Sequence, residues 1–301
     1  MGVYVQIEIA AELDEVWEYT QNPAMHRRWD LRFTKIDYIP KLNETAPQEF
    51  SYETRLGFGV TIAGVGTSIA NRTSAGGVRT SSLKFSSSDR RSLILDGAGY
   101  WKYEPMPLGT WFTTGYDYST RFGELGRLLD KAVFRPLIGW ATAWSFDSLR
   151  LWITEGQPPE QTLERAAIHG VARISLATLW IYQGLVPKLL NRNSLDFIMT
   201  VQSGVPRAYA ASVITGVAWL EILFGLAILV FWRNWRLLAL QVPLLLLLMI
   251  LTLITSPAVY ADAFNPLSTN LPMIALAAIG WYAGRQLPSA RNCRRSPEKG
   301  S

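Results

Sequence analysis

Residues 237–255, "LLALQVPLLLLLMILTLIT", run for nineteen positions without a charged side chain. A helix lying on a soluble core keeps one polar face. This stretch is apolar all round, and it is close to the ~20 residues needed to cross hydrocarbon. It reads as a membrane span over about 236–256. Three further segments, about 170–190, 209–231 and 269–286, have a similar length and character. The first is the least regular: Arg173, Gln183 and Pro187 interrupt it and Lys188 closes it.

Upstream of about residue 168 the composition changes, and charges alternate with short apolar stretches as in a water-soluble domain. The 301-residue chain therefore divides into a soluble part, 1–155, a connection over 156–168, a membrane part, 169–287, and a basic tail, 288–301. A net charge of +5 spread over these parts gives no support to nucleic-acid binding. One cysteine, Cys293, excludes an intrachain disulfide or a thiolate metal cluster, and two histidines, His26 and His169, do not form a zinc or haem ligand set. No metal and no cofactor is expected.

The start, "MGVYVQIEIAAELDEVW", lacks the basic region, apolar run and cleavage site of a secretory signal, so the soluble part is expected to stay where it is made. Arg233 and Arg236 lie in the turn between the second and third spans, and Arg285, Arg291, Arg294, Arg295 and Lys299 crowd the C-terminal end. The loop between the third and fourth spans carries only Asp262, whereas Lys188, Arg192 and Arg207 in the other outer loop weaken the bias. On the positive-inside rule the expectation is a multi-pass protein of a bacterial-type inner membrane, with its soluble domain and C-terminus cytoplasmic. The tail either sets topology or also holds anionic lipid.

Glu221 is the one charge in residues 209–231. An ionised carboxylate at mid-membrane depth costs roughly 2.5–3.5 kcal/mol on insertion scales, so it needs a partner. Gln183 lies at the more suitable depth, and Lys188 and Arg173 would have to snorkel to reach it. Gln183, Lys188 and Glu221 are the intramembrane polar candidates. Glu221 is either a lock between helices, with Gly184, Gly216 and Gly225 allowing close approach, or a proton or quinol acceptor facing a cavity. The pieces "LWIYQGLVPKLL" and "GVAWLEILFGLAIL" resemble the DoxX-like family of small four-helix membrane proteins over about 168–286, with Gly184 and Lys188 matching one pattern and Gly216, Glu221 and Gly225 the other. The resemblance implies a four-helix bundle and, faintly, quinone chemistry with a redox centre on a partner.

In the soluble part, Val3, Val5, Ile7 and Ile9 alternate as a strand, followed by a helix near Asp14 and a second short helix after Asn-Pro that ends near Trp29. Strands are expected near 49–57, 59–70, 77–87, 91–102 and 109–119, parted by clusters such as "SAGG" and "EPMPLG". A long amphipathic segment follows, in which Leu129, Val133, Leu137, Trp140 and Trp144 recur at helical spacing and Pro136 should kink the helix. This order, with "VWEYTQNPAMHRRWDLRFTKI", is similar to the START-like superfamily (SRPBCC, including polyketide cyclase/dehydrase and lipid-transport proteins). The resemblance implies an α+β helix-grip fold with an apolar cavity between sheet and helix.

By alternation Phe50, Tyr52, Thr54 and Leu56 share one face, as do Phe112, Thr114, Tyr116 and Tyr118, and these rows either line that cavity or fill a solid core. The ligand-binding candidates are Phe50, Tyr52, Leu56, Phe112, Tyr116, Tyr118 and Trp140. Arg55, Glu53 and Asp117 fall on the opposite faces, and His26, beside Arg27 and Arg28, reads as a solvated helix end. No catalytic constellation is legible. The expected function is membrane-tethered binding of a small apolar ligand, a lipid, quinone or polyketide, exchanged with the inner leaflet. The alternatives are a cyclase-type enzyme, or a subunit of a quinone-linked oxidoreductase with a redox or transport partner protein.

Overall fold

Alternation decides the first strand: in β1 (Val3–Ile9) the odd positions are buried, with Val5 and Ile9 sealed from solvent. The computed structural model describes residues 2–41, 43, 46–57, 59–191 and 194–297, without the side chains of Leu56, Ala75 and Ser194. Arg192 and Lys299 of the charge argument lie outside the described residues. After β1 come α1 (Leu13–Gln21) and α2 (Pro23–Trp29), the second opened by Pro23 in its first turn and capped by the Asn22 side chain on the Ala24 amide.

Six more strands follow: β2 (Lys35–Tyr38), β3 (Glu49–Gly57), β4 (Val60–Thr73), β5 (Arg79–Ser86), β6 (Ile94–Met106) and β7 (Gly109–Thr120). The short β2 was not expected. All pair antiparallel in the order β1-β7-β6-β5-β4-β3-β2. The amphipathic segment forms α3 (Gly123–Leu129), a π-helical turn (Asp130–Phe134) and α4 (Arg135–Glu155), so the irregularity expected at Pro136 falls in the turn just before it. The core lies where α4 meets β1, β6 and β7: Phe112 stacks on Phe146 at 4.3 Å and on Tyr103 at 5.0 Å, with Trp29 and Leu149 fully buried beside them. This is the helix-grip arrangement.

The chain forms two units, Met1–Thr162 together with Pro288–Ser301, and Leu163–Leu287. The tail packs on the soluble unit. Asp147 of α4, fully buried, accepts from the Ser289 amide (2.7 Å), Asn292 Nδ2 (2.8 Å) and Arg150 Nε (2.7 Å). Gln6 and Arg294 then exchange two backbone hydrogen bonds of 2.9 Å, extending the free edge of β1. Burial, together with the nearby Asp147 charge, pushes the Cys293 thiol up to about 12, so it stays protonated.

The second unit contains α5 (Pro159–Gln183), which begins in the first unit and continues as a π-helical segment (Gly184–Leu190), then α6 (Ser194–Gln202), α7 (Arg207–Val230), α8 (Trp235–Thr255) and α9 (Pro266–Ala283). The connection expected over 156–168 is thus helical from Pro159. Of these helices α7 and α8 are long and apolar enough to cross a membrane, and most of their apolar side chains face outward rather than into the protein. Arg173, sealed from solvent, donates to the carbonyls of Ile228 (2.7 Å) in the last turn of α7 and of Phe231 (3.2 Å) and Asn234 (2.7 Å) just after it, where backbone acceptors are otherwise open. Its Nε also donates to His169 Nε2 (3.0 Å), which fixes the remaining ring proton on Nδ1, directed at the Gly280 carbonyl (2.6 Å) of α9.

An Asp147→Ala substitution removes the acceptor for the tail. The expected loss is on the order of 1–3 kcal/mol, because buried donors are left unpaired. Faster amide exchange at Gln6 and Arg294 and new tryptic cleavage after Arg291 would register it; an unchanged exchange pattern would show that the tail is held by other means.

Candidate functional site

A cavity of about 290 Å³ lies inside the soluble unit, walled by β3 to β7, by Leu31–Phe33 after α2, and by Phe134, Leu137, Ile138 and Ala141. Paired glycines leave the space. In the sheet register Tyr52 faces Gly64, Phe50 faces Gly66 and Phe85 faces Gly97. A Cβ on Gly64 or Gly66 would lie 2.2 Å from the opposing ring, and on Gly97 2.5 Å. The rings therefore lie along the sheet, over strands without side chains, and the volume above them stays open.

One end is polar. Asp30, at the C-terminal end of α2, is fully buried and receives Arg32 in two parallel hydrogen bonds (Nε–Oδ1 2.9 Å, Nη2–Oδ2 2.6 Å) and His26 Nε2 at 3.0 Å. The Leu31 amide donates to Ser145 Oγ of α4 (2.9 Å), fixing this loop to the closing helix. Burial alone would raise the Asp30 carboxyl, but the Arg32 charge and the hydrogen bonds from Arg32 and His26 outweigh it and hold the group well below the usual carboxylate range. His26 is wedged against Trp101, Trp29 and Phe33 with ring centroids 4.9–5.5 Å away. His26 and Arg32 both line the cavity, so a mainly apolar chamber carries a guanidinium and an imidazole at one wall. With Asp30 matching Arg32, that wall suits a neutral oxygen better than a second anion.

Of the residues expected to bind ligand, Phe50, Tyr52 and Tyr116 line the cavity, with Thr54 and Thr114. Phe112 is core, stacked on Phe146. Tyr118 points elsewhere, its hydroxyl donating to Asp130 Oδ1 at 2.6 Å. Trp140 faces outward and is half exposed, because the helix presents its buried face through Phe134, Ile138 and Ala141 instead. Leu56 lies outside the described side chains. The solvated reading of His26 is overturned by its burial under three aromatic rings, and Arg55, expected on the far face, reaches the cavity wall next to a register shift at Arg55/Gly57. Sequence reasoning missed Arg32 and Asp30, although Asp-x-Arg directly after a helix-ending Trp was visible.

In the helical unit the partner of Glu221 is Lys188, whose Nζ lies 2.9–3.0 Å from both carboxylate oxygens; Gln183 instead sits 3.8 Å from the Met273 sulfur. The correction has a backbone cause. Pro187 has no N–H to offer the Gln183 carbonyl four residues back, the helix widens into a π turn, and Lys188 Nζ takes that carbonyl at 3.3 Å while reaching Glu221. Gly184 and Gly225 do allow close approach, since a Cβ would meet the Ala218 carbonyl at 2.4 Å and Ile181 at 2.7 Å; at Gly216 it would meet open space. Among the described residues no cluster could hold a metal ion.

Residues 177–278 match the model of the DoxX-like family. An uncharacterized membrane protein of Bacillus subtilis (strain 168), YndG, is 45% identical over 183 residues, which cover 60% of this chain and 68% of that protein. Among solved structures, the Zhui aromatase/cyclase from Streptomyces sp. R1128 is similar with a TM-score of 0.39 and 13% identity, over 52% of this chain and 98% of that one. A STAR-related lipid transfer protein from Xanthomonas axonopodis is similar with a TM-score of 0.35 and 16% identity, over 46% and 82%. At these scores the fold assignment rests on the strand order and the closing helix themselves.

An Asp30→Asn substitution strands the Arg32 charge and should cost about 3–5 kcal/mol at neutral pH. A depressed carboxyl stabilises above its unfolded value, so the wild-type advantage should be full above about pH 4 and fade as pH falls further toward the folded value. Thermal melts of the two proteins across that range should converge in acid; a constant gap would contradict the ion-pair account. For the second pair, Lys188→Met and Glu221→Gln each leave a charge alone, whereas the two substitutions together remove both. A double-mutant cycle on detergent unfolding should give a coupling on the order of 0.5–3 kcal/mol, and additive losses would dissolve the pairing.

Proposed function

The chain belongs to the family of the Bacillus subtilis membrane protein YndG, with a DoxX-like domain at 177–278, and from that premise we propose that it is a membrane protein whose START-like domain binds one small, mostly apolar molecule and exchanges it with the inner leaflet. The observation that carries this is the cavity: aromatic and aliphatic walls with His26 and Arg32 at one end. That lining suits a molecule with an apolar body and one neutral carbonyl or hydroxyl. About 290 Å³ lies near the lower end of the ~300–1,000 Å³ usual for ligand pockets. A quinone, a polyketide-like ring system or a single acyl chain fits that size better than a two-chain phospholipid.

Connectivity supports a membrane arrangement for this reading. Residues before Thr162 and after Pro288 belong to one folded unit, so the segment between them leaves that unit and returns to it. Such a segment would cross a bilayer an even number of times: α7 and α8 are long and apolar enough for two crossings, and in the four-span arrangement proposed here α5 and α9 would add two more. Arg233, between α7 and α8, and Arg236, in the first turn of α8, favour placing that turn, the soluble unit and the tail in the cytoplasm.

A second reading, a cyclase-type enzyme, is favoured by one specific observation. Asp30 receives His26 Nε2, which orients the ring and leaves Nδ1 as the nitrogen able to take a proton from a bound molecule.

Ala141→Phe should fill the cavity from α4 at a stability cost of about 1–3 kcal/mol. Small-molecule mass spectrometry of the full chain purified in mild detergent should find a defined apolar species in the wild type and lose it in the variant. Equal contents in both, limited to bulk lipid, would end the binding reading. Conversion of a tested polyketide that disappears in His26→Gln would favour the enzyme.

A further inference from the structure

The segment joining β7 to the closing helix keeps an apolar face outside the soluble unit. Phe122, Leu125, Leu129, Val133, Leu137 and Trp140 follow one another at three- and four-residue intervals, and all are exposed, from 45% at Trp140 to 72% at Leu125. The inward face of the same segment is made by other residues: Gly126 and Asp130 are buried, and Phe134 and Ile138 pack on the core. The helix is therefore apolar on two sides, and only one of them is satisfied by the protein. Phe122 is also held at φ 70°, a left-handed conformation that bulky residues rarely adopt, with its ring left half exposed.

Charge borders this face. Arg127, Lys131 and Arg135 recur every four residues beside the apolar stripe. Arg127 pairs with Glu124 and Arg135 with Asp130, while Lys131 has no ion pair among the described residues. An apolar stripe edged by basic side chains is the pattern of a helix that lies in the headgroup layer of an anionic leaflet, with its cations snorkelling to the phosphates. A lipid surface is also at hand, because α7 and α8 tie the chain to one. Finally, Leu137 belongs both to the exposed stripe and to the cavity wall, next to Phe134, Ile138 and Ala141 of that wall. The outer face and the chamber meet at this residue.

We infer that the 122–140 face is a lipid-docking surface, seated in an anionic leaflet so that the cavity opens toward the bilayer at Leu137. The exchange of ligand through it rests on the binding function proposed above; the docking itself does not.

The test uses the full chain with Cys293→Ser, carrying a single Leu125→Cys or Val133→Cys, and Leu108→Cys in the exposed turn after β6 as control. Each is labelled with an environment-sensitive fluorophore and reconstituted in phosphatidylcholine vesicles with and without phosphatidylglycerol. At 125 and 133 the emission should be quenched several-fold more by doxyl-labelled lipid than at 108, and shielded from iodide. The difference should grow with phosphatidylglycerol and shrink with Lys131→Glu. Iodide quenching equal to that at 108 would mean the face is open to water and would overturn the docking. Shielding from both quenchers would mean that protein covers it, a second copy or the chain's own helices, and would overturn it equally. Ligand co-extraction is read separately, so a ligand retained by a protein whose label stays in water would sink the docking and leave the binding function standing.

Discussion

A charge taken out of water must be given its own partners, at a cost of several kcal/mol if it is not, and this chain meets that condition at each of its deepest charges. Asp30 draws Arg32 and His26 into one corner of the cavity. Asp130 collects the Tyr118 hydroxyl and Arg135, holding the π-helical turn to the sheet. Asp147 collects the tail, Glu221 collects Lys188, and Arg173 is answered by carbonyls at the C-terminal end of α7. Most of these contacts join residues far apart in sequence. Apolar burial supplies most of the stability, whereas these directional pairs fix which segments meet and in what register.

The soluble fold was legible because strands that bury one face must alternate, as β1 does without exception at its odd positions. The short β2 escaped because only Ile36 of its four residues is buried, too few to show a period. The cavity's cause was visible but unread: Gly64 with Gly66, and Gly97 with Gly99, recur at the two-residue interval that puts both on one face of a strand. Helical periodicity has a different limit. The stripe from Leu129 to Trp140 was read correctly as a period, yet a period says only that a helix has an apolar face, not whether protein or lipid covers it.

The intramembrane pair failed for a third reason. Ranking Gln183 above Lys188 assumed an even rise of about 1.5 Å per residue along the first span. Pro187 breaks that assumption and Lys188 fills the gap it leaves, so the proline that seemed to weaken the span is what brings the ammonium to Glu221. The pairing also bears on function. Lys188 follows α5 and Glu221 lies within α7, so their ion pair ties these two helices together, the contact that a helix lock requires.

The tail changes how the two units depend on each other in time. The residues that pair with the β1 edge at Gln6 and satisfy Asp147 are translated only after all of 163–287. Until then the soluble unit has an open edge beside Gln6 and a buried carboxylate short of two of its donors. Open edges invite association with other chains, and an unsatisfied buried carboxylate lowers local stability. Completion of the soluble unit is therefore coupled to synthesis of the helical one, although each has its own core. A helical segment inserted with an odd number of crossings would leave the tail on the far side of the membrane. The soluble unit would then lack the contacts that Ser289, Asn292 and Arg294 make with Asp147 and Gln6.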